Sequence, residues 1–173
     1  MLRKEDNIMT VHNEIKVTFP AKSCNEAMAR ITAAAAAAQL DPSAAEIIDI
    51  KTAVSEAVTN CIVHAYKDSI GKVEMLCRII DDNVLYIRIK DQGCGIADVK
   101  KAMEPLYTTA PEEERAGLGF AVMESFMDSV KVTSSVGRGT VVTMKKKIAA
   151  RELYSAASAR NAAAGEAADE ERQ

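Results

Sequence analysis

Ile47, Ile50, Val54, Ala57, Val58, Cys61 and Ile62 fall along one stripe at helical spacing. A helix carrying that stripe, opened by Asp41-Pro42 or by Ser43 and running to about Tyr66, must lay it against a second layer. The remaining segments supply that layer. Val11 to Phe19 alternates, with Ile15, Val17 and Phe19 on one side, and reads as a half-buried strand ended by Pro20. Lys72 to Ile80 and Val84 to Lys90 alternate again across Asp81-Asp82-Asn83, a hairpin by composition and spacing. Ser129 to Ser135 and Gly139 to Lys147 form a second hairpin that turns at Val136-Gly137-Arg138. Ser23 to Leu40 is predicted helical: Ser23 is placed to cap it, Glu26 stands at capping-box distance, and the alanines from Ala33 to Ala38 favour helix while letting another backbone come close. Leu118 to Asp128 restores helical spacing. The predicted fold is α+β, a two-layer sandwich with a mostly antiparallel sheet covered on one face by helices.

Charge narrows the functional classes. Twenty-two basic against twenty-five acidic residues give a net charge of −3, so no diffuse field draws the chain to nucleic acid unless a local patch defies the total. No apolar run approaches a membrane span, and Met1 to Thr10 mixes Arg3 and Lys4 with Glu5 and Asp6, unlike a secretory signal. Cys24, Cys61, Cys77 and Cys94 form no CxxC pair, so free thiols in a reducing, cytoplasmic setting are expected. A core domain over 9–148 is expected, preceded by an extension over 1–8. An alanine-rich tail over 149–173, disordered or helical, follows, with Leu153 and Tyr154 as its only large apolar groups.

Four short constellations carry chemistry. Glu56, Asn60 and His64 recur every fourth residue and line one helix face beside the apolar stripe. An amide oxygen is a neutral hard ligand suited to Mg²⁺ that shares its shell with phosphates, and a carboxylate one turn away can take a proton from a hydroxyl. Asp91-Gln92-Gly93-Cys94-Gly95-Ile96 follows a strand; its glycines allow close backbone approach and Asp91 can accept from an exocyclic amine, although an ordinary tight turn explains such a run alone. Gly117-Leu118-Gly119-Phe120 leads into a helix whose first N–H groups suit phosphate oxygens. Gly137-Arg138-Gly139-Thr140 is most simply a hairpin turn. The stretch between Asp91 and about Ala116 is long for a connection in a small domain and reads as a lid or binding loop.

In this order the elements resemble the GHKL (Bergerat) ATP-binding superfamily of gyrases, heat-shock chaperones, histidine kinases and mismatch-repair ATPases. More narrowly, SEAVTNCIVHAY, DQGCGI, MEPLYTT, ERAGLGFAVMESFMD and GRGTVVTMKK, with AQLDP near the second helix, resemble the bacterial anti-sigma F family over about residues 9–148. That resemblance implies a serine-protein kinase using ATP and Mg²⁺ and leaving ADP. It implies that Asn60 coordinates Mg²⁺, that Glu56 is the general base and that Asp91 binds the adenine amine with help from Thr140. Gly93, Gly95, Ile96, Gly117, Leu118, Gly119 and Phe120 would shape the nucleotide pocket. Thr108 and Thr109 would lie in the lid, and Arg115 would meet the γ-phosphate. Arg30 matches a partner-contacting position.

The implied biology is a partner switch. A homodimer with ATP holds sigma factor F, and an anti-anti-sigma factor displaces sigma and is phosphorylated on a serine. The nearest alternatives are a general stress-response anti-sigma kinase and a module that uses ATP only to set its shape. Neither nucleic acid nor membrane is an expected partner.

Overall fold

The computed structural model describes residues 10–67, 69–81, 83–104 and 118–149. Its strands are β1 (Val11–Pro20), β2 (Lys72–Ile80), β3 (Val84–Lys90), β4 (Ser129–Ser135) and β5 (Gly139–Lys147). Its helices are α1 (Glu26–Ala37), α2 (Ala44–Asn60), the single turn α3 (Val99–Ala102) and α4 (Gly119–Phe126). The strands form one sheet in the order β1-β2-β3-β5-β4, every neighbouring pair antiparallel. Both hairpins fall where the alternating runs place them. Among the described residues, no helix is long and apolar enough to cross a membrane.

Alternation decides which sheet face is covered. Val73, Met75 and Cys77 of β2, Leu85, Ile87 and Ile89 of β3, and Val142 and Met144 of β5 are buried in the same core as α1 and α2. The helices answer with Ile50, Ala53, Val54, Ala57 and Val58 on α2 and Ala29, Ala33, Ala36 and Ala37 on α1. Alanine on α1 lets the helix backbone sit close to its neighbours, so a core poor in aromatics still packs without large side chains there. All four cysteines are free, and burial pushes the Cys77 thiol up to about 12.

The start of α1 departs from expectation. Ser23–Asn25 is a 3₁₀ turn, so Ser23 sits inside the entry turn and caps nothing. Glu26 does not reach back to it either; its carboxylate accepts from the Ser55 hydroxyl of α2 and pairs with Arg30 at 3.3 Å. The capping box forms one helix later. Ser43 Oγ accepts from the Glu46 N–H at 3.2 Å, and Glu46 Oε2 accepts from the Ser43 N–H at 2.7 Å.

Glu46 has a second task. Its Oε1 accepts from the Ala149 N–H at 3.0 Å and ties the end of β5 to the start of α2. Partial burial pushes this carboxyl up, but the N–H donors of Ala149 and Ser43 outweigh it and hold Glu46 below its ordinary range.

Ala33 is fully buried where α1 meets α2. Ala33→Leu is expected to cost about 1–3 kcal/mol by overpacking. Urea unfolding should show a lower midpoint at an unchanged slope.

Candidate functional site

Helix α2 does not end at Asn60. The next five residues, Cys61–Ala65, wind on as a π turn, whose wider coil presents carbonyls differently from an α turn. Ala65 O accepts from the Cys94 N–H at 3.0 Å and His64 O accepts from Cys94 Sγ at 3.1 Å. The loop after β3 is therefore laid backbone to backbone on the helix end. Gly93 makes that possible, since a Cβ there would stand 2.2 Å from Ala65 O. Tyr66 closes the seam; its hydroxyl accepts from the Gln92 N–H at 2.7 Å and donates to Lys72 O at 2.8 Å.

The same loop is held from the other side by the β4–β5 hairpin. Gly137 N–H donates to Cys94 O at 2.8 Å, and Ile96 N–H donates to Ser134 Oγ at 2.8 Å. Ser134 Oγ in turn shares a 2.9 Å hydrogen bond with Thr140 Oγ1. Gly139 has φ +89° and would direct a Cβ to 2.3 Å from Asp91 O, so only glycine passes the chain here.

Asp91 lies at the centre, only 3% exposed. Its Oδ1 accepts from the N–H groups of Gly93 at 2.8 Å and Thr140 at 3.1 Å. Its Oδ2 faces the Cys61 thiol at 3.8 Å. Burial raises the Asp91 carboxyl above its ordinary range, and the two N–H donors counter this only in part. Burial, reinforced by the Asp91 charge, pushes the Cys61 thiol well up, so it stays a neutral donor. Burial likewise raises the Tyr66 hydroxyl.

These elements enclose a cavity of about 540 Å³, a size that suits a nucleotide. Of the residues expected to form the site, Asn60, Asp91, Gly95, Ile96, Gly119, Phe120 and Thr140 line it. Gly93 acts from behind the wall, and Leu118 precedes α4 without lining the cavity. Glu56 is half-buried one turn before Asn60. The start of α4 meets both side chains: a Cβ on Gly119 would stand 3.1 Å from Glu56 Oε2 and 3.4 Å from Asn60 Oδ1. Thr108, Thr109, Arg115 and Gly117 lie outside the described residues. Arg30 lies away from the cavity, on α1.

Sequence reasoning gave no role to Cys61 or Ser134. Cys61 follows Asn60 directly and belongs to the apolar stripe, so its contact with Asp91 is invisible without the π turn. Ser134 lies opposite Thr140 in the β4–β5 register, which only the observed pairing discloses.

Asn60 stands beside the start of α4, where a Mg²⁺ carried by phosphates would meet it. Asn60 Oδ1 offers a neutral oxygen, and no group of three or more His, Cys, Asp or Glu capable of holding a metal exists among the described residues. That donor set fits a magnesium carried in by phosphates better than one caged by protein.

A five-stranded antiparallel sheet, helices on one face and a cavity between a helix end, a glycine loop and a helix start define a histidine kinase-like ATPase domain, and the profile of that family matches residues 19–146. An anti-sigma F factor of Clostridium acetobutylicum is 52% identical over 80% of this chain and 96% of its own length. One from Caldanaerobacter subterraneus is 55% identical over 81% and 97%, and one from Geobacillus kaustophilus 49% identical over 80% and 95%. The crystal structure of the RsbU and RsbW domains of a Mycobacterium tuberculosis protein shares the fold at TM-score 0.58 and 18% identity, over 79% of this chain and 32% of that one. The chain belongs to the anti-sigma F factor family of histidine kinase-like ATPase domains.

Asp91 supplies a pH test. Because its folded-state carboxyl titrates above the unfolded value, it favours folding fully only below the unfolded value, and that contribution is lost as pH rises through the folded one. Asp91→Asn removes this titrating group while keeping an oxygen for Gly93 and Thr140. The variant should melt at or above the parent temperature at pH 7, and the parent should regain ground as pH falls toward 4 in a thermal-melt series. Nucleotide affinity of the variant should drop at least about 10-fold by calorimetry if Asp91 Oδ2 is the acceptor for a ligand N–H.

Proposed function

We propose that this chain is an ATP-dependent anti-sigma kinase that holds sigma factor F and phosphorylates an anti-anti-sigma factor on a serine. The observation that carries this reading is the meeting of Glu56, Asn60 and the start of α4 at one end of a cavity whose other wall is Asp91. A nucleotide with its purine amine on Asp91 Oδ2 directs its phosphates toward Asn60 and the first N–H groups of α4. Support for the partners comes from relatives about half identical over nearly their full lengths.

Each residue has a definable task. Asp91 and Thr140 fix the base, Gly95, Ile96, Gly119 and Phe120 shape the wall, Gly93 backs it, and Leu118 leads the chain into α4 beside it. Asn60 is the chain's own ligand to Mg²⁺, which when bound neutralises phosphate charge. Glu56 accepts the proton from the substrate serine as its oxygen attacks the γ-phosphorus; the bond to the β-phosphate oxygen breaks and ADP leaves. Thr108, Thr109, Gly117 and Arg115 keep their assigned roles on motif resemblance alone, with Arg115 on the γ-phosphate. Arg30 contacts the protein partner, the working unit is a homodimer, and the kinase domain spans residues 9–148. Switching between partners requires that nucleotide state change the relative affinity for the two proteins.

A single-turnover assay with γ-labelled ATP and the anti-anti-sigma factor tests the reading. Label on a serine of that protein is expected; ATP binding without transfer would reduce the chain to a shape-setting module. Glu56→Gln should retain nucleotide and sigma binding but lose on the order of 10²-fold or more in transfer rate. Asn60→Ala should weaken Mg·ATP binding by calorimetry, with little change in binding of nucleotide measured without magnesium.

A further inference from the structure

The sheet face turned away from the helices is sharply divided in charge. Tyr86, Arg88 and Lys90 of β3 alternate with the buried Leu85, Ile87 and Ile89, and so face outward. Lys145 pairs with Tyr86 and Ser129, Lys147 with Val84, and Lys131 with Thr143, which places all three lysines on the same face. Lys146 confirms the parity, since its Nζ reaches Asp49 and Phe126 O on the helix side.

Toward β1 this face is neutralised. Glu14 pairs with Arg78 at 2.6 Å, and Glu74 with Lys72 at 3.2 Å and Lys16 at 3.8 Å. The hydrogen bond from Lys72, with lesser help from Lys16 and Lys90, holds the Glu74 carboxyl below its ordinary range. Toward β4 the balance fails. Arg88, Lys131, Lys145 and Lys147 stand there, and no outward position of β3, β5 or β4 carries a carboxylate. Asp128, just before β4, spends Oδ2 on the Lys147 backbone N–H. A cationic field of this density is out of keeping with a chain of net charge −3.

The missing negative charge lies further along the same chain. Beyond Ala149 come residues 150–173, whose last eight include Glu166, Asp169, Glu170 and Glu171 against Arg172 alone. Leu153 and Tyr154 are its large apolar groups, and the outward face offers Val84, Tyr86 and Val141 between its cations. Reach is no obstacle: at roughly 3.3 Å per extended residue the segment greatly exceeds the roughly 20 Å width of five strands. The segment follows Ala149, which lies two residues past Lys147 and is tied to Glu46 of α2. We propose that residues 150–173 dock across the β3–β5–β4 half of the outer sheet face, placing their acidic end on Arg88, Lys131, Lys145 and Lys147. Tethering makes this contact intramolecular, with an effective concentration on the order of millimolar. An acidic partner segment then reaches the face only by displacing the tail.

The test is lysine acetylation by a water-soluble succinimidyl ester, read site by site by peptide mass spectrometry. Three proteins are compared: the full chain, the full chain carrying Glu166→Gln, Asp169→Asn, Glu170→Gln and Glu171→Gln, and the chain ended at Ala149. The last retains every described element, and the family profile is complete by residue 146. At low salt, Lys131, Lys145 and Lys147 should react about 3-fold or more slowly in the full chain than in either variant. Lys51 on α2 should react equally in all three. In roughly 0.5 M salt the difference should vanish through screening. Equal rates in the three proteins at low salt overturn the proposal. Protection that persists without the tail and grows with protein concentration overturns it too, and assigns the face to a second copy of the chain.

Discussion

One carboxylate organises the site. Asp91 Oδ1 accepts simultaneously from Gly93, in the loop after β3, and from Thr140, on β5. These two hydrogen bonds pin the loop to the strand, alongside those of Gly137 with Cys94 and of Ile96 with Ser134. Burial raises the Asp91 carboxyl despite these donors. A ligand N–H reaching Oδ2 would add a donor to that carboxylate, which is how the proposed function has Asp91 read the base.

In the proposed function, helix α2 links this recognition to the chemistry at the opposite end. Its inner stripe is the core and its adjoining stripe is the tool: Val54, Ala57 and Val58 fix the rotation that turns Glu56 and Asn60 to the start of α4. Continuation as a π turn then brings Ala65 O and His64 O to Cys94. Packing of the helix against the sheet thereby sets both ends of the cavity, and the alanine face of α1 holds that packing tight.

The strands, both hairpins and the stripe of α2 were legible because apolar alternation and helical spacing are local signals that the sheet-and-helix core rewards. The Glu56–Asn60 face and the DQGCGI loop were legible as residue types, and the motif resemblance joined them. What stayed hidden depended on partners distant in sequence. Ser23 and Glu26 satisfy a capping pattern that a 3₁₀ entry turn and the Ser55 hydroxyl override. Ser134 looks like any strand serine until β4 is placed opposite Thr140. The π turn leaves no simple compositional mark, because its carbonyls are met by Cys94, thirty residues away in sequence.

The contacts at Gly93 and Gly139 bear on how this site can change. Each glycine faces a backbone atom, Ala65 O or Asp91 O, and not the tip of a side chain. A side chain can be shortened elsewhere in the molecule to make room for a larger neighbour, but a peptide carbonyl cannot. Damage at these two positions therefore lies beyond the reach of suppressor mutations among the surrounding residues, and reversion to glycine is the only local repair open to a lineage that loses it.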